Sequence, residues 1–230
     1  MIGCNRSQAL SMTALHTLDA GPTDAACRFI LAHGAGAGMD QPFLDAMATL
    51  LAERAIATTR FEFAYMAARR ITQKRTVPPK AETLVPEYER AIAFVRGRMP
   101  PGQRLVIGGK SMGGRVASLL ADAAYRQGLV TGLVCLGYPF HPPKKPTVLR
   151  TAHLTHLMCP TLIAQGERDP FGSRAEVEAM TVSPAISVHW MPDGDHDLSP
   201  RQASGFTGQG NLEAAADLIA DFVGSGPPKV

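Results

Sequence analysis

The chain has 230 residues, with 23 Lys and Arg against 20 Asp and Glu, so its formal net charge is +3. An apolar fraction of 45% excludes an intrinsically disordered protein, and 22 Gly with 18 Pro exclude a coiled coil. The small basic excess is scattered, so we expect no nucleic-acid partner. Neither an apolar run of about 18 residues nor a secretory signal is present, so we expect no membrane partner and a cytoplasmic location.

Short apolar runs alternate with amphipathic stretches along the whole chain. The first run, residues 13–18, alternates loosely between apolar and polar residues and predicts an antiparallel edge strand. Most of the later runs are continuous rather than alternating, which is typical of strands covered on both faces of a parallel sheet. These strand candidates are residues 29–32, 56–61, 105–107, 133–136, 161–164 and 186–191.

Four stripes of apolar residues at helical spacing follow or separate these strands. The first stripe begins near Pro42, and the last follows Asn211, which we take as its N-cap. Alternating strands and helices predict an α/β fold with a doubly wound, mostly parallel sheet, built as one domain over residues 1–230. Its core should span about residues 27–223, with residues 1–12 poorly ordered. Four cysteines without metal-ligand spacing predict reduced, mostly buried thiols.

The segment LVIGGKSMGGR, residues 105–115, joins a strand candidate to a helix. Its Gly-x-Ser-x-Gly pattern predicts a nucleophile elbow, a sharp turn that presents Ser111 while small residues let the neighbouring chain pass close by. A phosphate-binding P-loop is excluded because it requires Gly where Arg104 stands. We therefore predict that Ser111 is a catalytic nucleophile. The alternative is an incidental serine in a glycine-rich turn.

A serine nucleophile needs a base and a third group that orients the base. In this fold the chain order is Ser, then Asp or Glu, then His. His196 lies in PDGDHD directly after the last strand, so it is the predicted base, with a surface histidine as the alternative. Asp169 in GERDPFG is the predicted orienting carboxylate, and Glu167 is its rival. The remaining carboxylates of the His196 loop are expected to be solvated or to tune the histidine; they are Asp193, Asp195 and Asp197.

Acyl transfer also needs N–H donors aimed at the developing oxyanion. The backbone N–H of Met112 is the first predicted donor of this oxyanion hole. The second should come from the glycine-rich loop HGAGAGM, residues 33–39, where we predict Ala35 with Gly36 as the alternative. The dinucleotide-binding pattern GxGxxG is excluded because Met39 occupies its last glycine position.

Two other loops bear on the substrate. The loop GYPFHPPKKP, residues 137–146, is too short for a helical cap, which predicts an open, shallow site for small or extended acyl groups. The basic connection 62–83 either attracts an anionic substrate or partner, or is a solvated, mobile loop. The spacing of His153, His156 and Cys159 does not predict a zinc site. We expect the substrate to be lined by Gly34, Gly36, Tyr138, Phe140 and His141, with rigid packing as the alternative for the last three.

The combination of His33-Gly34, the Ser111 elbow, Asp169 and His196 resembles the α/β-hydrolase superfamily in order and context. GGKSMGGR, RFEFAYM, LGYPFHPP and GERDPFG are similar to a narrower family of predicted hydrolases distantly related to dienelactone hydrolases. Its vertebrate relatives include a testis-expressed protein and a subunit of a histone-acetyltransferase complex. The resemblance spans about residues 27–223 and implies fold and reaction class. It implies no substrate, because dienelactone hydrolases use a cysteine where this chain has Ser111.

We therefore expect a carboxylesterase-like serine hydrolase that cleaves a small ester, thioester or related acyl bond through an acyl-enzyme. No cofactor and no metal are expected, and the expected partner is a small-molecule acyl substrate. A homodimer is allowed but nothing in the sequence indicates one. Two alternatives remain: a non-catalytic interaction module on a hydrolase scaffold, and an acyltransferase or perhydrolase that uses the same triad.

Overall fold

Seven strands form one sheet in the computed structural model, which describes residues 15–224. In chain order they are β1 (Thr17–Ala20), β2 (Cys27–Ala32), β3 (Ala57–Phe61), β4 (Arg104–Lys110), β5 (Gly132–Leu136), β6 (Thr161–Gly166) and β7 (Ile186–Met191). In space they follow the order β1-β3-β2-β4-β5-β6-β7. The strand β1 is antiparallel to β3, and all other pairs are parallel.

Helices cover both faces of this sheet. They are α1 (Pro42–Glu53), α2 (Ala64–Thr72), α3 (Ala81–Arg96), α4 (Met112–Arg126), α5 (Arg174–Glu178) and α6 (Gly208–Gly224), with 3₁₀ helices at Ala152–His156 and Gln202–Ser204. On one face α3 and α4 pack over Ile30 and Ile107, and on the other α1 and α6 pack over Phe29 and Val106. Successive strand residues thus enter opposite cores, which explains why the strand sequences are continuously apolar.

The predicted doubly wound sheet is confirmed, and each of the six later strand candidates coincides with a strand. The edge strand is antiparallel as predicted; within the described residues it occupies Thr17–Ala20, two residues beyond the predicted end at residue 18, and residues 13 and 14 lie outside the described part of the chain. Asp19 fixes the strand to its neighbours, because its carboxylate accepts hydrogen bonds from Arg28 (3.1 Å) and from the Thr59 hydroxyl (2.5 Å). The N-terminal segment 1–12, predicted to be poorly ordered, lies outside the described residues.

Two helix predictions need correction. Asn211 does not cap α6, which begins at Gly208; the Thr207 hydroxyl accepts the Gly210 N–H (3.0 Å) at this end. The Asn211 side chain is buried and donates instead to the carbonyl oxygens of Pro192 (3.0 Å) and Leu198 (2.7 Å). In addition, α2 occupies part of the connection 62–83, which the sequence analysis left without a helix.

Three of the four cysteines, Cys27, Cys135 and Cys159, are free and buried, and Cys4 lies outside the described residues. Burial raises the pKa of the thiols of Cys27 and Cys159 to about 11 and about 12. Thiols with such pKa values are protonated and unreactive at neutral pH. No helix in the segment 15–224 is long and apolar enough to cross a bilayer.

Candidate active site

Ser111 occupies the turn between β4 and α4. Its φ of 51° and ψ of −115° lie in a region that side chains with a Cβ rarely adopt. Hydrogen bonds hold the residue there, because its N–H donates to the Leu136 carbonyl (2.9 Å) and its own carbonyl accepts the Arg115 N–H (3.0 Å). The turn therefore maintains backbone strain at the predicted nucleophile.

Glycines next to this turn allow the end of β2 to pass beside it. A Cβ at Gly109 would lie 2.3 Å from the Ala32 carbonyl oxygen. A Cβ at Gly113 would lie 2.6 Å from the same oxygen and 2.7 Å from the His33 carbonyl oxygen. Neither position has room for a larger residue, which is the physical reason for the small residues of the pattern.

The structure brings Ser111, His196 and Asp169 into one hydrogen-bonded row. The Ser111 Oγ lies 2.9 Å from His196 Nε2, and His196 Nδ1 lies 2.8 Å from Asp169 Oδ2. The three residues follow β4, β7 and β6, whose carboxyl ends share one edge of the sheet. With its Nδ1–H donated to Asp169, the imidazole leaves Nε2 free to accept the serine proton.

Asp169 is fully buried, and each of its carboxylate oxygens has a protein donor. Besides His196, Gln165 Nε2 donates to Oδ2 (2.9 Å), and the Phe171 N–H donates to Oδ1 (2.8 Å). Gln165 is itself held by the Tyr138 N–H, which donates to its Oε1 (2.7 Å). Gln165 is not among the predicted site residues, although a polar residue at the end of an apolar strand is a signal that the sequence offers.

Lys110, the variable residue of the elbow, lies beneath the His196 loop. Its Nζ donates to the His196 carbonyl oxygen and forms an ion pair with Asp197 (3.2 Å), while its side chain is only 4% exposed. The ammonium also lies 5.3 Å from the centre of the Phe43 ring. Burial lowers the pKa of Lys110, and the Asp197 charge opposes this shift. Lys110 is not among the residues predicted to contribute to the site.

The carboxylates of the His196 loop are not simply solvated, as the first expectation held. Asp193 is buried and forms ion pairs with Arg201 (2.6 Å) and Arg168 (2.8 Å). Hydrogen bonds from Arg201 lower the pKa of Asp193 to about 2. Asp195 accepts the N–H groups of Asp197 (2.8 Å) and Ser199 (3.0 Å). These bonds give the loop a defined shape.

Glu167, the rival of Asp169, serves a different role. Its carboxylate accepts the Asp193 N–H (2.9 Å) and forms an ion pair with Arg174 (3.0 Å). Hydrogen bonding by the Asp193 backbone, helped by Arg174, lowers the pKa of Glu167. Glu167 thus links the loop after β6 to the His196 loop and has no hydrogen bond to the imidazole.

The loop after β2 carries the second predicted oxyanion donor. His33 fastens this loop, because its Nε2 accepts the Phe63 N–H (3.1 Å) and its Nδ1 lies 2.7 Å from the Gly34 carbonyl oxygen. The Ala35 N–H has no acceptor within the described part of the chain. Met112 begins α4, so its N–H has no intrahelical acceptor.

A cavity of about 580 Å³ opens at Ser111. Ala35 and Met112 line it, whereas Gly36 is exposed and lines a neighbouring depression with Arg69 and Arg70. Gly34 is buried against the elbow, where a Cβ would lie 3.6 Å from the Ser111 Cβ. Neither Gly34 nor Gly36 is among the residues that line the cavity. Besides Ala35, Ser111 and Met112, these include Pro78, Pro79, Lys80, Glu82, Arg115, Pro139, Val148, Leu149, Arg150 and Phe171.

Tyr138, Phe140 and His141 do not line this cavity, contrary to expectation. All three are buried, and the rings of Tyr138 and Phe140 pack edge to face at 4.9 Å. The Tyr138 hydroxyl donates to the Arg150 carbonyl (3.0 Å), and His141 Nε2 lies 3.5 Å from the Glu176 carboxylate. These three side chains therefore pack in the interior, as the alternative interpretation held.

The basic connection 62–83 is partly helical, and two of its arginines are engaged. Arg69 donates to the Gly36 carbonyl (3.0 Å), and Arg70 forms ion pairs with Asp40 (2.8 Å) and Glu62 (2.5 Å). These contacts fasten α2 to the loop after β2, so this part of the connection is not a solvated, mobile loop. Among the described residues, no group of three His, Cys, Asp or Glu side chains is placed to hold a metal ion.

A family model described as an alpha/beta hydrolase domain matches residues 25–224. Among solved structures, a dienelactone hydrolase from Anabaena variabilis is similar at 21% identity and a TM-score of 0.69, over 93% of this chain and 92% of that one. An alpha-beta serine hydrolase homologue from Coxiella burnetii is similar at 20% identity and a TM-score of 0.64, over 90% of each chain.

A serine hydrolase without a lid, from Xanthomonas campestris, is similar at 17% identity and a TM-score of 0.66, over 94% of this chain and 91% of that one. At these identities the structures show a shared fold. The segment between β5 and β6 of this chain likewise contains no helix longer than the 3₁₀ turn Ala152–His156. With the family model matched over residues 25–224, the chain belongs to the α/β-hydrolase family.

Proposed function

We propose that the protein is a serine hydrolase of carboxylesterase type, which cleaves small esters, thioesters or related acyl bonds. The observation that carries this proposal is the row of hydrogen bonds from Ser111 through His196 to the buried Asp169, at 2.9 and 2.8 Å. A hydroxyl becomes an effective nucleophile when an oriented base accepts its proton. The strained turn at Ser111 and the fully partnered Asp169 supply that orientation.

In the proposed reaction, Ser111 Oγ attacks the substrate carbonyl while His196 Nε2 accepts the hydroxyl proton. The N–H groups of Met112 and Ala35 stabilise the oxyanion of the tetrahedral intermediate. As the intermediate collapses, the imidazolium protonates the departing alcohol or thiol, which leaves an acyl-enzyme on Ser111. Water then attacks the carbonyl of the acyl-enzyme while His196 accepts a proton from it. When this second intermediate collapses, the carboxylic acid leaves and the imidazolium returns the proton to Ser111 Oγ.

The shape of the site supports small or extended acyl groups. The cavity at Ser111 has a volume of about 580 Å³, within the range of pockets that bind small molecules. No helical cap covers it within the described residues, so a substrate reaches Ser111 without a large closure. We therefore propose soluble short-chain esters and thioesters as the first compounds to test.

Turnover of p-nitrophenyl acetate, butyrate and a short acyl thioester tests this proposal. We expect Ser111→Ala and His196→Ala to reduce kcat to the background rate, a loss of about 10⁴-fold or more. The matched controls are Ser204→Ala and His156→Ala, which change the same residue types outside the cavity and should retain wild-type rates. If Ser111→Ala or His196→Ala is shown by circular dichroism to be folded and still turns over substrate at the wild-type rate, the proposal is overturned.

A further inference from the structure

The cavity at Ser111 carries an unbalanced positive charge. Lys80, Arg115 and Arg150 line it, and Glu82 is the one carboxylate among its lining residues. Glu82 is already engaged, because its Oε1 lies 2.5 Å from Arg115 Nη2. The charges of Lys80 and Arg150 are therefore not neutralised, and the wall beside the nucleophile has a net positive charge.

Arg150 differs from the exposed Lys80 because it is a partly buried cation that has no partner among the described residues. Its side chain is half-buried, yet its guanidinium makes no hydrogen bond or ion pair within residues 15–224. Its backbone is well fixed, since its N–H donates to the Phe140 carbonyl (2.8 Å) and its carbonyl accepts the Tyr138 hydroxyl (3.0 Å). Burial and the nearby Arg115 charge lower the pKa of Arg150, and the Glu82 charge offsets this shift only in part.

A partly desolvated guanidinium without an acceptor is unfavourable unless a ligand supplies one. Arginine presents a planar set of donors that matches the two oxygens of a carboxylate. Arg115 adds to this demand, because its Nε is buried and has no acceptor among the described residues. An anion placed in the cavity would supply the Arg150 guanidinium with the acceptor that the described residues do not provide.

The rest of the lining suits an apolar segment. Val148 and Leu149 lie directly before Arg150 and are 51% and 55% exposed, although large apolar side chains usually avoid water. Pro139 and Phe171 also face the cavity beside Ser111. A substrate that joins its acyl bond to an anionic end through a short hydrocarbon chain would cover these side chains.

We propose that the cavity binds esters or thioesters that carry a carboxylate or similar anionic group separated from the scissile bond by a short apolar chain, with Arg150 as the specificity-determining residue. This inference rests on the proposed serine-hydrolase function and adds a substrate class to it. The anion belongs to either the acyl group or the leaving alcohol, and two pairs of substrates separate these cases.

The first pair compares mono-p-nitrophenyl adipate with p-nitrophenyl hexanoate, which have the same acyl length and differ in the terminal charge. The second pair compares the acetate ester of 6-hydroxyhexanoate, which carries its charge on the alcohol, with the neutral hexyl acetate. For at least one pair we expect kcat/KM to favour the anionic ester by about tenfold or more, as a charge-assisted hydrogen bond allows. Rising ionic strength should reduce this preference.

Substitutions at Arg150 test the assignment. Arg150→Met should abolish the preference for the anionic ester, and Arg150→Lys should retain part of it. Arg126→Met is the matched control, because Arg126 is exposed at the far end of α4 and its loss changes the net charge equally. A preference that survives in Arg150→Met, falls equally in Arg126→Met, or is absent from the wild-type protein for both pairs would overturn the inference.

Binding to an inactive protein separates this inference from the proposed function. In the Ser111→Ala background, the anionic esters should raise the thermal midpoint more than the neutral esters at equal concentration and ionic strength. Adding Arg150→Met should remove the difference. Equal shifts with and without Arg150 overturn the anion site. If the wild-type protein turns over none of these esters but the Ser111→Ala protein binds the anionic ones in an Arg150-dependent way, the hydrolase proposal alone is overturned.

Discussion

The backbone at Ser111 is strained because a residue with a Cβ is held at a φ of 51° and a ψ of −115°. Such a conformation costs a residue with a Cβ of order 1–3 kcal/mol, and glycine does not incur this cost. Glycine also loses more conformational entropy on folding, by about 0.5–1 kcal/mol. We therefore expect Ser111→Gly to have a free energy of unfolding about 1 kcal/mol higher than Ser111→Ala, which lacks the hydroxyl but keeps the Cβ.

Urea denaturation of these two variants measures the difference directly, since both lack the hydrogen bond to His196. Ser111→Ala is the matched control for the lost hydroxyl. An equal or lower stability of Ser111→Gly would show that the turn is not strained as its backbone angles indicate.

Asp169 determines which imidazole nitrogen carries the proton. An amide at this position presents a donor as well as an acceptor to His196 Nδ1, so it can favour the tautomer that cannot accept the serine proton. We expect Asp169→Asn to lower kcat by about 10³–10⁴-fold. Asp217→Asn, an exposed carboxylate on α6, is the control and should keep the wild-type rate. Near-normal turnover by a folded Asp169→Asn protein would refute this role.

At the scale of elements, the loop between β7 and α6 is held from three sides. Lys110 donates to the His196 carbonyl oxygen of this loop, and Arg201 and Arg168 form ion pairs with its Asp193. The side-chain amide of Asn211 in α6 donates to two carbonyl oxygens of the loop. The position of the imidazole thus depends on contacts from β4 and α6 as well as on Asp169.

Removing the Lys110 contact should displace His196 without removing a reacting group. We expect Lys110→Met to lower kcat by about 10- to 100-fold with little change in KM, because small displacements of catalytic groups reduce rates steeply. The exposed Lys145→Met is the control for the loss of a lysine. An unchanged kcat, or a loss confined to KM, would contradict a positioning role for Lys110.

The sequence predicts these elements unevenly, for physical reasons. Strands covered on both faces are mostly apolar along their length, so the six candidates after the edge strand are recognisable in the sequence. The residues Ser111, Asp169 and His196 are expected at one edge because each follows a parallel strand. By contrast, α2 exposes most of its surface and buries only Met66, so its apolar stripe is weak. The roles of Lys110, Gln165 and Asn211 depend on contacts between distant segments, which no local pattern shows.

At the scale of the whole molecule, buried neutral histidines make the stability depend on pH. Burial lowers the pKa of His33 and of His153 from the ordinary value of 6.5. Nε2 of His33 accepts the Phe63 N–H, so protonation would break a buried hydrogen bond. Between the lowered folded pKa and 6.5, the unfolded chain binds more protons, so the free energy of unfolding rises with pH.

We therefore expect stability to fall as the pH drops below the ordinary histidine value and to change less above it. Urea denaturation from about pH 5 to pH 8 measures this dependence. His33→Gln should be less stable at neutral pH but should show a smaller decrease on acidification. His16→Gln is the control, because His16 is exposed. An unaltered acid dependence in His33→Gln would refute the assignment.

Intact-mass spectrometry after exposure to a fluorophosphonate probe tests most directly whether Ser111 is an activated nucleophile. We expect a single adduct on the wild-type protein, located at Ser111, and none on Ser111→Ala or on heat-denatured protein. His196→Ala should react far more slowly, because the hydroxyl then has no base. A folded wild-type protein that forms no adduct, or one that is labelled equally after denaturation, would contradict the proposed serine hydrolase and favour a non-catalytic role for this scaffold.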